Sequence, residues 1–171
     1  MDLKKWIRDI PDFPVKGVIF KDITPLLKDP EAFRFCVDQM VDSLSSVSFQ
    51  TIVSPEARGF MFASAISYLM KKSFIPVRKP GKLPYKTRSV GYSLEYGNAE
   101  LHIHEDAIQQ GERVVVLDDV LATGGTVKAI ASMVEEMGGI VEGVFFLAEL
   151  DFLNGRERLQ SYPVHSLIRY S

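Results

Sequence analysis

Two apolar rhythms alternate along this chain: short unbroken runs, and longer stretches in which apolar residues return once per helical turn. Trp6, Ile7 and Ile10 have helical spacing ahead of Pro11 and predict a short leading helix over Leu3–Ile10. Pro11 to Gly17 reads as an irregular loop before the apolar Val18-Ile19-Phe20. Asp29-Pro30 supplies an N-cap and a first helical residue. The stripe Phe33, Val37, Met40, Val41 and Leu44 carries that helix to about Leu44. Thr51 to Ser54 is a β-branched run, Phe60 to Lys72 has helical spacing, and Phe74 to Val77 is a second short strand that Pro76 assigns to an edge or a strand end.

From Arg78 to Gly91 the chain turns basic, loses periodicity and contains Pro80, Gly81 and Pro84, predicting a long functional loop. Arg113 to Leu117 is the clearest buried strand, an unbroken aliphatic run of the kind parallel sheets require. Val127, Ile130, Val134 and Met137 then give a helical face ending at Gly138-Gly139, and Ile140 to Ala148 is a second apolar strand. The strand-helix-strand unit should cross over right-handed, and the sum is an α/β fold with a mainly parallel central sheet flanked by helices.

Composition narrows the class. At ~150 residues per domain, 171 residues make a single domain spanning 1–171. A formal net charge of −2 speaks against a nucleic-acid partner, because such domains show a basic excess. The lone cysteine, Cys36, excludes an intramolecular disulfide framework, which points to a reducing cytoplasmic address and to a buried, hydrophobe-like role. Every apolar run is broken by charge well short of the ~18 residues a spanning helix needs, and the charged N-terminus does not resemble a secretory signal, so no membrane partner is expected.

The chemistry concentrates after the best strand, in Asp118-Asp119-Val120-Leu121-Ala122-Thr123-Gly124-Gly125-Thr126. In open α/β sheets ligands bind beyond the carboxyl ends of strands. Two adjacent carboxylates there cannot both enter a core unpaired, so they face water, a cation or hydroxyls. The following turn leads straight into a helix, where backbone N–H groups and two hydroxyls converge at its positive end and form a phosphate cradle. The Lys of a triphosphate loop and the GxxxxGK[ST] spacing are absent, as is GxGxxG. An acidic pair beside a phosphate cradle suits a ribose 5-phosphate. His102 and His104 share one strand face, but with no third ligand they read as an exposed polar face rather than a metal site.

Val114 to Thr126, VVVLDDVLATGGT, resembles the phosphoribosyl-pyrophosphate binding motif of the type I phosphoribosyltransferases. PDFPVKGVIFKDITPLL at Pro11 to Leu27, PEARGF at Pro55 to Phe60, VRKPGKLP at Val77 to Pro84 and YSLEYGNAEL at Tyr92 to Leu101 are similar to the adenine-using branch of that family. The resemblance implies a type I phosphoribosyltransferase fold with a small N-terminal hood and a flexible catalytic loop. It implies transfer of the 5-phosphoribosyl group from phosphoribosyl pyrophosphate to adenine, giving AMP and pyrophosphate, in a homodimer of purine salvage.

By the same resemblance, Asp118 and Asp119 hold the ribose hydroxyls, and Ala122, Thr123, Gly124, Gly125 and Thr126 wrap the 5′-phosphate. Arg58, Arg78, Lys79 and Lys82 serve the pyrophosphate, which suits the guanidinium fork at Arg58. Ile19, Phe20 and Lys21 form the adenine pocket. Glu95 is the catalytic carboxyl beside the purine, which must either lose a ring proton or be held so that another nitrogen stays protonated. Tyr96 closes over the reactants as a lid. Magnesium (Mg2+) is held mainly through the substrate's oxygens, with no direct protein ligand assigned. Two alternatives stand beside this reading: transfer to hypoxanthine, guanine or xanthine, and a regulator that senses phosphoribosyl pyrophosphate without reacting.

Overall fold

The computed structural model describes residues 1–94 and 97–171, and the side chains of 93–98 lie outside that description. The N-terminal stretch differs from the predicted leading helix. A single 3-10 turn spans Leu3–Trp6, and the chain then extends into β1 (Arg8–Pro11), which pairs antiparallel with β2 (Ile19–Asp22). The reason lies in opposite charges that face each other across the ladder: Arg8 meets Asp22 at 2.6 Å and Asp9 meets Lys21 at 2.7 Å. Such cross-strand pairs form only when both segments are extended. This ribbon is the hood.

Two helices follow, α1 (Thr24–Lys28) and α2 (Pro30–Leu44). The second starts and ends where the sequence places it, and Asp29 Oδ1 accepts from the Ala32 N–H at 2.8 Å. Cys36 is buried on its inner face, and burial pushes its thiol up to about 12, so it packs as a small apolar group. Next come β3 (Thr51–Pro55), α3 (Arg58–Met70) and β4 (Ser73–Val77). The third helix begins two residues before the apolar periodicity does, because its first turn is made by Arg58 and Gly59.

The predicted loop over Arg78–Gly91 is shorter than expected. β5 (Thr87–Leu94) pairs antiparallel with β6 (Gly97–His104), and Val90 and Tyr92 pack against the core, which is what recruits this half of the segment into a strand. His102 and His104 are half-buried rather than exposed. His102 Nδ1 lies 2.8 Å from Thr87 Oγ1, the His104 ring meets Tyr85 edge-on, and His102 also bridges to Arg78 through two backbone hydrogen bonds of 2.7 and 2.9 Å.

The second half of the chain carries β7 (Arg113–Leu121), α4 (Gly125–Glu136), β8 (Ile140–Leu150), a 3-10 turn at Asp151–Leu153, α5 (Gly155–Arg158) and β9 (Val164–Tyr170). The central sheet has the order β4-β3-β7-β8-β9, with every neighbouring pair parallel. Alternate residues of β7 feed two cores: Val115 and Leu117 join the layer of α2 and α3, while Val114 and Val116 join the layer of α4. All four are fully buried, each contributing on the order of 1.5–3 kcal/mol. From the β3/β7 boundary the chain winds outward in opposite directions, which opens a crevice at the carboxyl ends of these two strands.

Candidate active site

Asp118 and Asp119 lie in the last turns of β7, at that crevice. The expectation that the pair faces water, a cation or hydroxyls is met at Asp119 by a cation, the Arg58 guanidinium. Asp118 is half-buried, whereas Asp119 is 3% exposed. What makes the burial tolerable is Arg58, whose Nε sits 2.8 Å from Asp119 Oδ2, and the Asp119 N–H donates to Asp118 Oδ1 at 2.8 Å. Burial, then the charge of Asp119, push the Asp118 carboxyl well above the usual carboxylate range. Burial also raises Asp119, although Arg58 pulls against it.

This arrangement has a pH signature. A raised native pKa means that the folded chain holds a proton the unfolded chain releases, so the group's stabilising contribution is present at acid pH and lost as pH rises through the native value. Asp118→Asn should therefore raise the melting temperature at neutral pH, with the gain vanishing at acid pH. Thermal unfolding across pH checks this, and a melting temperature unchanged at neutral pH would contradict it.

Arg58 is placed by the β3–α3 turn, which contains a cis peptide bond at Glu56–Ala57. A first helical turn this close to β7 requires Gly59. A Cβ there would overlap Ser54 Oγ and come within 3.0 Å of Asp118 Oδ1. Glu56, which the sequence reading passed over, anchors the basic segment: its Oε1 accepts from the Lys79 N–H at 2.7 Å and lies 3.4 Å from Arg78 Nε.

The cradle is built as the residue types require. Gly124 N-caps α4 at φ 80, a conformation that favours glycine, and no side chain caps the helix. The first intrahelical bond runs from Lys128 N–H to Gly124 O, so the N–H groups of Gly125, Thr126 and Val127 have no acceptor within the helix.

Two cavities share this end of the sheet. One, of about 340 Å³, is lined by Glu56, Arg58, Lys79, Asp118, Asp119 and Thr126 among others. The second, of about 400 Å³ and mainly apolar, is lined by Val18, Ile19, Phe20, Lys21, Arg58, Val120, Ala122, Thr123, Leu150 and Leu153. Arg58 belongs to both: its guanidinium stacks 4.6 Å from the Phe20 ring centroid, and its Nη1 lies 3.4 Å from the Lys21 carbonyl. Lys21 contributes backbone rather than charge, because its ammonium is bound to Asp9 and sits 3.9 Å over the Tyr170 ring. β2 has one unpaired edge in its two-stranded sheet, which leaves backbone groups available to a ligand.

Of the remaining basic residues, Arg78 turns back to Glu56 and to the Lys82 carbonyl at 3.3 Å, and Lys82 lines neither cavity. Glu95 and Tyr96 lie outside the described residues.

Residues 31–149 match the phosphoribosyl transferase domain family. The adenine phosphoribosyltransferase of Pseudothermotoga lettingae is 58% identical over 170 residues, covering 99% of this chain and 100% of that one. That of Petrotoga mobilis is 60% identical over 170 residues, with 99% and 98% covered. The chain belongs to the adenine phosphoribosyltransferases. Membership makes it a transferase of purine salvage, with the type I phosphoribosyltransferase fold. The crystal structure of the Thermoanaerobacter pseudethanolicus adenine phosphoribosyltransferase superposes with a TM-score of 0.97 at 51% identity, covering 99% of this chain and 98% of that one. The Saccharomyces cerevisiae adenine phosphoribosyltransferase, solved with an imino-altritol bisphosphate and adenine, gives 0.88 at 35% identity over 95% and 94%.

Proposed function

We propose that this chain makes AMP and pyrophosphate from adenine and phosphoribosyl pyrophosphate, with the two cavities dividing the substrates between them. The observation that carries this reading is Arg58, which lines both cavities, pairs with the acidic pair on one side and stacks on Phe20 on the other. The apolar cavity takes the flat purine against Phe20, with Ile19 and Lys21 offering backbone groups to its edge. Asp118 and Asp119 accept from the ribose hydroxyls, and Ala122 to Thr126 surround the 5′-phosphate. Arg58 and Lys79 face the pyrophosphate, with Arg78 and Lys82 completing the basic segment.

During the transfer the bond from the anomeric carbon to pyrophosphate breaks as the bond to the purine nitrogen forms. Positive charge builds on the sugar and negative charge on the leaving group. Arg58 and Lys79 stabilise the latter. Glu95 handles the purine proton and Tyr96 excludes water, both assigned from their sequence motif. Among the described residues no group of three or more His, Cys, Asp or Glu converges. Magnesium would be carried in on the substrate's own oxygens and would neutralise pyrophosphate charge, with no direct protein ligand assigned.

The same reading has the chain act as one domain over 1–171, in the cytoplasm. The free Cys36 supports a reducing address, and among the described residues no helix is long and apolar enough to cross a membrane. It also has the chain work as a homodimer. On α3, the helix that presents Arg58, Met61, Tyr68 and Leu69 are 42%, 84% and 52% exposed on one face, a surface suited to a second copy. A monomer in sedimentation at assay concentration would contradict this.

The deciding experiment supplies labelled adenine, phosphoribosyl pyrophosphate and magnesium, with hypoxanthine, guanine and xanthine as rivals. AMP should form in preference to the other products, and Glu95→Gln should lower turnover. No AMP, or equal use of another base, overturns the reading.

A further inference from the structure

Glu149 is a carboxylate at the end of β8 that is only 3% exposed and touches neither cavity. It lies across the sheet from Leu121, the last residue before the cradle. Both its oxygens accept from one guanidinium: Arg156 Nε donates to Oε1 at 2.6 Å and Arg156 Nη2 to Oε2 at 2.8 Å, while Arg156 Nη1 donates to the Val164 carbonyl at 3.0 Å, and Arg169 Nε lies farther off, 3.8 Å from Oε2. Every arm of the fork is therefore fixed in place. The residue before Arg156 is Gly155, and it has no space around it. A Cβ on Gly155 would overlap the Ala122 carbonyl oxygen and come within 2.8 Å of Leu121 Cδ1, and a Cβ on Gly124 would come within 2.7 Å of the Gly155 carbonyl oxygen.

The Asn154–Gly155 turn is thus pressed against the outer side of the cradle. The Ala122–Thr123 peptide is trans, since the cis bonds among the described residues are Phe13–Pro14 and Glu56–Ala57. In a trans peptide the carbonyl and the N–H point in opposite directions. With the Ala122 carbonyl against Gly155, the Thr123 N–H is aimed the other way, away from the turn.

We infer that the pair of the buried Glu149 with Arg156 is a positioning device for the 5′-phosphate: it clamps Gly155 behind the Ala122 carbonyl and so fixes the donors of the cradle. The inference rests on the proposed function, because it assumes that Ala122 to Thr126 receive the phosphate. Its consequence is selective. Loosening the clamp weakens the contribution of the phosphate to binding more than that of the purine, whose cavity Ala122 and Thr123 also line.

The test compares inhibition constants of AMP and adenosine, which differ only by that phosphate, in the wild-type protein, Arg156→Lys and Gly155→Ala. Arg156→Lys keeps the charge but loses the fork, and Gly155→Ala presses a methyl directly on the Ala122 carbonyl, so it is the reference for a displaced cradle. Wild-type protein that forms AMP and binds AMP more tightly than adenosine upholds the underlying function by itself. Each variant should then lose about tenfold or more in AMP affinity, the scale of a lost charge-assisted hydrogen bond, with adenosine changed less than about twofold. Equal losses for AMP and adenosine, or none for either, overturn the clamp while leaving the proposed function standing. If Arg156→Lys does not fold, Glu149→Gln, which weakens the same pair from the other side and adds nothing to the turn, decides between these outcomes.

Discussion

Arg58→Ala should lower kcat/KM for phosphoribosyl pyrophosphate by about 100-fold, because it leaves the buried Asp119 carboxyl without its partner, a loss of about 2–3 kcal/mol at the exposed end of the range for such pairs. Three losses coincide at this residue. Asp119 keeps its burial but loses the cation 2.8 Å away, the Phe20 ring loses the guanidinium stacked on it, and the Lys21 carbonyl loses its neighbour. The first loss also has a direction in pH. Without Arg58 the largest opposition to the burial that raises Asp119 is gone, so the acidic pair takes up its proton at higher pH and the acid limb of activity shifts upward. Arg58→Lys should fall between wild type and alanine, since it restores charge but not the flat fork that stacks on Phe20. Steady-state kinetics across pH measure both effects, and an alanine variant within threefold of wild type would remove Arg58 from the centre of the site.

The parts of this site that the sequence discloses are contiguous ones. Asp118 to Thr126 can be read because an aliphatic strand, an acidic pair and a glycine turn into a helix follow one another without a break. The α2 boundaries are legible for the same reason, since Asp29 and Pro30 act on the next few residues. What stays hidden depends on contacts between distant segments. The N-terminal residues have helical spacing, yet Arg8 and Asp9 are drawn into a strand by Asp22 and Lys21, partners that spacing cannot announce. Lys21 stands in the pocket motif, but its ammonium turns to Asp9 and Tyr170. Glu149 offers a faint signal as an acid at the end of an apolar run, with Arg156 seven residues on. The sequence places the strand end at Ala148, one residue before the side chain that matters. Glu56 carries no local signal, because its partners Arg78 and Lys79 lie more than twenty residues away.

Ser54 is equally silent in sequence and supports a sharper expectation. Gly59→Ala should destabilise the protein by about 1–3 kcal/mol, the cost of overpacking a filled site, since its new methyl would overlap Ser54 Oγ and press on Asp118 Oδ1 at 3.0 Å. Ser54 Oγ is buried and has no hydrogen-bond partner among the described residues, so Ser54→Ala alone should be close to neutral or mildly stabilising. The two changes share one contact and should not add. The double variant should recover about 1 kcal/mol or more relative to the sum of the singles. Affinity should behave differently from stability. Removing the Ser54 hydroxyl frees one side of the new methyl but leaves the contact with Asp118, the side chain proposed to hold the ribose. Urea unfolding should therefore show the double variant largely rescued, while its KM for phosphoribosyl pyrophosphate stays near that of Gly59→Ala. Additive stabilities would mean that α3 shifts bodily away from β3. A rescued KM would mean that Gly59 matters for packing against Ser54 and not for the approach of the helix to the acidic pair.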